Sequence, residues 1–258
     1  VLELVAGLWD GLCPTCRDRR EREAMERWRA DTAAGLDGLV LERARAAGFQ
    51  YAECEATLDG VPVPLRKRLP GAAVKALVAG APLEGPGFGL VGGQGVGKSM
   101  CLAAILKARL AAVLRATLAA VTVVPMEHER PWWLVPVFTW VNWPDAAATL
   151  KAHSMAVHGA QAVEELTQRW TVTPVLALDD LGRERLTKAG YDEDFAVGVL
   201  DRVVDLRTRA RRPILWTSNL PPDGVARRYG AALNSRLLGA APAVPVGDLP
   251  DLRLTPGA

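Results

Sequence analysis

The sequence predicts an α/β fold with a parallel sheet and flanking helices, preceded by a small, mainly helical N-terminal segment. Three observations predict it. From Phe88 onward, short apolar runs alternate with longer segments of helical character, the pattern of a parallel sheet with crossover helices. The run 174–178 (PVLAL) is continuously apolar, as expected of a strand buried on both faces. A glycine-rich turn at 92–97 separates the first strand from the longest helix.

Taken in order, residues 1–58 look unlike the rest. The stretch 17–29 (RDRREREAMERWR) alternates charge at helical spacing, with Met25 and Trp28 as its main apolar residues. It reads as a solvated helix or one that docks on a partner. A second helix is expected over 36–47, stopped by Gly48. Residues 59–87 hold Pro62, Pro64, Pro70, Pro82, Gly85, Pro86 and Gly87 and read as a linker with one short helix at 72–79. Beyond it, strands are expected at 88–91, 137–141, 174–178, 214–217 and, weakly, 244–246. Helices are expected at 98–120, from Pro144 and Asp145 onward, and at 192–211, capped by Asp192 and closed by Pro213.

Composition bounds the answer. The chain has 258 residues, 50% apolar and 23% charged, sized for one or two domains with a sizeable core. This excludes a mainly disordered chain. With 31 basic and 29 acidic side chains the net charge is +2, so the chain as a whole is not marked as a nucleic-acid binder. The one local basic region is 202–236, where eight Arg stand against two Asp. The four cysteines, Cys13, Cys16, Cys54 and Cys101, are too few and scattered for a disulfide scaffold. No signal-peptide pattern and no uncharged apolar run of 18 residues are seen, so no membrane span and a cytoplasmic location are expected.

The strongest chemical signal is Gly92-Gly93-Gln94-Gly95-Val96-Gly97-Lys98-Ser99, which fits the P-loop pattern G-x-x-x-x-G-K-[ST] between a strand and a helix. The glycines let the backbone wrap so that its N–H groups, with those that follow at Met100, face phosphate oxygens. The helix N-terminus adds positive potential. Lys98 reaches the β- and γ-phosphates of ATP, and the Ser99 hydroxyl ligates Mg²⁺. Downstream, 175–180 (VLALDD) is an apolar strand ending in two carboxylates. Behind a P-loop it reads as a Walker B motif, with Asp179 in the Mg²⁺ shell and Asp180 polarising the attacking water. Asp180 stands where many such ATPases carry the longer Glu, which points to slow hydrolysis.

Two further elements are weaker alone. Thr217-Ser218-Asn219 follows an apolar strand, which places Asn219 at the carboxyl end of the sheet, beside the γ-phosphate. The alternative is a plain turn before Pro221 and Pro222. Arg236, within Asn234-Ser235-Arg236-Leu237-Leu238, is placed to act as an arginine finger on a neighbour's nucleotide, or is a solvated Arg on a short helix.

These four elements in this order resemble the DnaC/IstB family of AAA+ ATPases, over about residues 58–253. The most specific stretch is 213–238, PILWTSNLPPDGVARRYGAALNSRLL; Trp143-Pro144-Asp145, LALDDLG at 176–182 and Leu206-Arg207 before Pro213 also match. The resemblance implies a P-loop AAA+ core, Asn219 as sensor 1, Arg236 as the arginine finger, and the P-loop and Walker B roles on Gly92–Ser99, Asp179 and Asp180. It implies an ATPase that assembles into a ring or spiral. In the loader branch, the charged N-terminal segment holds a replicative hexameric helicase and the core holds single-stranded DNA. An IstB-type ATPase assisting a transposase on duplex DNA, and a nucleotide-bound assembly switch that hydrolyses little, are the alternatives. Two departures stand out: 121–133 (VTVVPMEHERPWW) reads as an insertion, and too little chain follows the final strand for a helical lid.

Three other features stay open. Cys13-Pro14-Thr15-Cys16 is half of a zinc-site signature and Cys54 a candidate third ligand. No His precedes His128, so a full Zn²⁺ set is not visible and free thiols are the alternative. Cys101 is expected in the core. Four of the eight Trp fall within 132–143. Trp140 is expected in the core, and Trp132 and Trp133 beside Arg130 at a contact surface. The cluster 207–212 (RTRARR) either touches phosphates or forms a solvated helix end whose cations suit the dipole.

Overall fold

A computed structural model of the chain describes residues 13–81, 85–122, 137–156, 159–184 and 191–252. At its centre is a sheet of five parallel strands, β1 (Phe88–Val91), β2 (Thr139–Asn142), β3 (Leu176–Leu181), β4 (Ile214–Ser218) and β5 (Ala243–Pro245), in the order β2-β3-β4-β1-β5. The chain leaves β1 for the far edge at β2, steps back through β3 and β4, and ends at β5 on the other side of β1. Every loop that leaves the carboxyl end of β1, β3 or β4 therefore opens onto one rim, where open parallel sheets bind ligands.

Alternation along the strands divides the core into two layers. Phe88 and Leu90 of β1, Ala177 of β3 and Leu215 of β4 face one cluster; Val91, Leu176, Leu178, Ile214 and Trp216 face the other. The second layer is covered by α7 (Trp143–Ser154), α8 (Gly159–Val172), α9 (Tyr191–Arg209), α10 (Pro222–Tyr229) and α11 (Ala231–Ala240). The first layer rests on α6 (Lys98–Ala120), whose bounds match the expectation.

Helix α6 also explains the N-terminal region. Cys101 to Leu106 are buried without a break, so this helix has no solvent face over those residues. A helix apolar all round must be covered all round. The cover is α2 (Leu36–Ala46), α3 (Tyr51–Glu55) and α5 (Gly71–Val78). Leu36, Val40, Ala44, Phe49, Cys54, Val61, Leu65 and Leu77 share one core cluster with α6. Within the stretch 59–87, Pro62, Pro64 and Pro70 stand at the starts of short packed helices, α4 (Val63–Arg66) and α5. Packing continues across residue 58.

The same cover caps the sheet. β2 is an edge strand, and the Trp140 N–H on its open side donates to the Ala47 carbonyl at 2.8 Å. Gly48 makes the approach possible: it sits at φ +113°, and a β-carbon there would collide with the Trp140 carbonyl. Phe49 then packs its ring on Phe138 and, edge-on, on Trp140. An unpaired edge invites pairing with other chains, and here the protein's own N-terminal layer closes it.

Only α1 (Pro14–Ala34) stands apart. Its residues Arg17 to Glu23 are exposed, and it touches the body through one stripe holding Ala24, Met25, Trp28 and Arg29. The Arg29 guanidinium donates to the Val121 carbonyl at 2.7 Å. Among the described residues no helix is long and apolar enough to cross a membrane. The insertion from residue 123, with Arg130, Trp132 and Trp133, lies outside the described residues. Helix α8 was not anticipated, although Val163, Leu166 and Trp170 recur at helical spacing and share one core cluster. The remaining strands start or end up to three residues from their expected bounds.

Candidate nucleotide site

The loop 92–97 leaves β1 and turns into α6 at Lys98, with Gly95 and Gly97 at φ +76° and +86°. A side-chain-bearing residue rarely adopts these angles, so the glycines let the loop curl into the helix N-terminus. Gly93, Gln94 and Met100 are exposed, whereas Lys98 is buried. Its ammonium donates to the carbonyls of Gly92 (2.9 Å) and Gly93 (2.6 Å) and to Asn219 Oδ1 (2.9 Å). The P-loop lysine and the expected sensor therefore meet directly, across 121 residues of sequence.

The Walker B residues owe their aim to a bulge. β3 and β4 pair in register through Leu178 and Trp216, then shift so that Leu181 faces Ser218, leaving one extra residue on β3. Bulges re-aim side chains and gather beside active sites. Here the shift coincides with Asp180, which takes φ +59°. Thr217 holds both carboxylate-bearing residues. Its hydroxyl donates to Asp179 Oδ1 at 2.6 Å and accepts the Asp180 N–H at 2.9 Å. The Ser99 hydroxyl at the head of α6 lies close enough to the Asp179 carboxylate at the end of β3 to lower its pKa.

Burial pushes the Asp179 carboxyl up to about 6, against the hydrogen bond from Thr217 and the nearby Ser99 hydroxyl; the neighbouring charges of Asp180 and Glu53 raise it further. A buried carboxylate beside a hydroxyl is a hard oxygen pair, suited to a hard divalent cation that would in turn stabilise its charge. Asp180 pairs with Arg183 at 2.9 Å. Thr217 was not singled out from the sequence as the group that orients both carboxylates; its place in Thr217-Ser218-Asn219 was the available signal.

Arg236 joins none of these groups. It is partly exposed on α11 and pairs with Asp201 of α9, which raises its already high pKa.

One expectation is corrected. Whereas Arg209 and Arg211 are exposed, Arg207 is not part of a solvated helix end. It is fully buried and donates to the carbonyls of Trp170, Thr171, Thr173, Pro174 and Pro213 at 2.7–3.3 Å. With Arg212, which donates to Thr171 O at 2.8 Å, it satisfies the C-terminal end of α8, where carbonyls lack helical partners. Burial, then the Arg212 charge, pushes Arg207 down to about 9. Zinc binding is one of two readings of the cysteines, beside free thiols. Cys13 is exposed, Cys54 lies in the core, and no group of three metal-ligating side chains comes together among the described residues. Cys101 is buried as expected, its thiol pushed up to about 12 by burial.

No protein-family model and no curated protein matches the chain. Solved structures do. The DnaC helicase loader superposes with a TM-score of 0.53 at 21% identity, covering 76% of this chain and 99% of that one. DnaI superposes at 0.54 and 19% identity, covering 79% and 94%. The replication initiator DnaA bound to AMPPCP and single-stranded DNA superposes at 0.51 and 19% identity, covering 76% of this chain and 51% of that one. At these identities the likeness is one of fold: this chain shares the fold of DnaC, DnaI and DnaA.

Proposed function

We propose that this protein is an ATPase that loads a replicative hexameric helicase onto single-stranded DNA at the start of replication. The observation that carries the reading is the meeting of Lys98, Asn219, Ser99, Asp179 and Asp180 on one rim of the sheet. That set matches the needs of a nucleoside triphosphate with Mg²⁺. A Mg²⁺ ion held by Ser99 and Asp179 would supply positive charge against the phosphate oxygens.

The chain's own groups do the rest. Lys98 exchanges the Gly92 and Gly93 carbonyls for phosphate oxygens, and the N–H groups at the start of α6 cradle them. Ser99 and Asp179 would hold the metal. Asp180 polarises the attacking water once it leaves Arg183, and Asn219 orients that water beside the γ-phosphate. Arg236, partly exposed and away from its own P-loop partners, serves a neighbouring subunit in a ring or spiral.

The loader role is drawn from likeness in fold to a protein described as a helicase loader and to DnaA, described as bound to single-stranded DNA. The exposed, charged first half of α1 is the part with most surface free to take the helicase. The test is co-purification of the full chain with a candidate hexameric helicase, with and without ATP and Mg²⁺, and of a chain starting at Gly35. Capture by the full chain alone, with ATP binding kept by both, is the expected result. Equal capture by both would move the contact to the core, and no capture by either would remove the loader role.

A further inference from the structure

We infer that Tyr229 and Glu184 are positioning residues that set the aim of Asp180; the inference rests on Asp180 being the water-polarising group proposed above. Asp180 is one of two non-glycine residues with positive φ among the described residues. A side-chain-bearing residue enters that region only where its surroundings hold it. Thr217 holds the incoming side through the Asp180 N–H, and Ser218 Oγ donates to the Leu181 carbonyl at 2.6 Å. The outgoing side is held by α10.

There the Gly182 N–H, at φ +91°, is shared between Tyr229 Oη (2.7 Å) and Glu184 Oε2 (3.1 Å). The Tyr229 hydroxyl donates in turn to Glu184 Oε1 at 2.8 Å. Arg228 Nε donates to the same oxygen at 2.7 Å, and its other arm donates to the Glu184 carbonyl. All three side chains are largely buried. A buried charged set of this kind is seldom the most stable filling for its space, which favours a role in fixing conformation. None of these groups touches the P-loop, so binding nucleotide does not need them.

The geometry also ties this set to the sensor. A β-carbon on Gly182 would strike the side chain of Leu220, the residue after Asn219. The turn that presents Asp180 and the turn that presents Asn219 therefore pack as one unit, pinned by Tyr229. Without the tyrosine hydroxyl, Gly182 keeps only its 3.1 Å bond, and Asp180 is free to stay on Arg183 instead of meeting water.

The test is steady-state ATP hydrolysis by full chains carrying Tyr229→Phe, Asp180→Asn and both, with nucleotide affinity measured on each. Tyr229→Phe is expected to lower kcat about 10- to 100-fold while nucleotide affinity and KM stay at wild-type values. The double variant is expected to be no slower than Asp180→Asn alone, because a residue acting through Asp180 has nothing left to position. Additive losses, or wild-type kcat in Tyr229→Phe, would overturn the inference. Wild-type kcat in Asp180→Asn would overturn the reading of Asp180 itself and the positioning role with it, a result distinguishable from the first. If Tyr229→Phe fails to fold, Glu184→Gln, which keeps the shape and removes the acceptor charge, is read in the same way.

Discussion

Two buried cations occupy opposite situations in this molecule. Arg207, beneath the C-terminal end of α8, donates from its two terminal nitrogens to five carbonyls contributed by two segments, 170–174 and Pro213. Lys98, at the rim of the sheet, is held by two carbonyls of its own loop and one side-chain amide. Both are desolvated and both are bonded, yet only one is replaceable by a ligand. The partners of Arg207 are the ends of core elements and cannot move without unfolding them. The partners of Lys98 sit in a loop whose Gly93 and Gln94 face solvent. A buried charge therefore marks a binding site when its partners are exchangeable, and a structural clamp when they are not.

The sharpest way to break this contrast is Arg207→Ala. It leaves several buried carbonyls without donors, and an expected loss of about 3–5 kcal/mol in unfolding free energy, read by urea denaturation, would place it among structural groups. A loss near zero would mean water replaces the guanidinium. Lys98→Ala should do the reverse: nucleotide affinity falls about 100-fold, or about 3 kcal/mol, while the urea midpoint barely moves. Isothermal titration with ATP and Mg²⁺ reads the first and denaturation the second. A large stability loss in that variant would put Lys98 beside Arg207.

Asp179→Asn sharpens the comparison from the anionic side. The Asp179 carboxyl is raised to about 6 in the folded chain, mainly by burial, above its ordinary value near 3.8. The folded state thus holds this proton to higher pH than the unfolded state. Its contribution to stability is full below pH ~4, falls as pH rises to ~6, and is flat beyond. Without metal or nucleotide, Asp179→Asn should therefore be more stable than the wild type at pH 7 by about 1–3 kcal/mol, a gain that vanishes near pH 4. A variant equally stable at both pH values would show that Asp179 carries no such cost. With Mg²⁺ and ATP present the sign should invert, since the variant lacks the metal ligand.

The smallest effect on the isolated chain belongs to Arg236→Ala. Its pair with Asp201 is exposed, and exposed pairs contribute little, so stability and nucleotide affinity should match the wild type. Hydrolysis by the assembled protein should fall, and mixing with Lys98→Ala should restore part of it, because one variant supplies an intact site and the other an intact finger. No recovery at any mixing ratio would place Arg236 outside the neighbour's site.

Much of this was legible in the sequence because the signals are local. The P-loop is a contiguous pattern whose glycines and lysine act within eight positions, and α6 was bounded correctly at both ends. Asp179, Asp180 and Asn219 were readable because an apolar strand ending in a polar residue delivers that residue to the carboxyl rim of a parallel sheet. Arg207 was not legible because the spacing of its cluster is that of an ordinary helix end, which the exposed Arg209 and Arg211 do form. Only the fold shows that Arg207 points inward, at carbonyls 33 to 37 residues earlier in the chain. Helix α4 of the proline-rich stretch was not legible for a related reason: proline is equally at home in a linker and at the first turn of a short helix.

The sequence by itself determined the class of fold, the order of its main elements and the glycine-rich loop at the head of α6, since periodicity and glycine content act through the backbone over a few residues. Tertiary structure alone decided that residues 36–78 belong to the core, that Trp140 is capped by Ala47, that Thr217 serves two carboxylates, and that Arg207 is a clamp. Each of these is a contact between segments far apart in sequence. Which buried polar group meets which depends on strand order, register and a single bulged residue, and no local pattern encodes those.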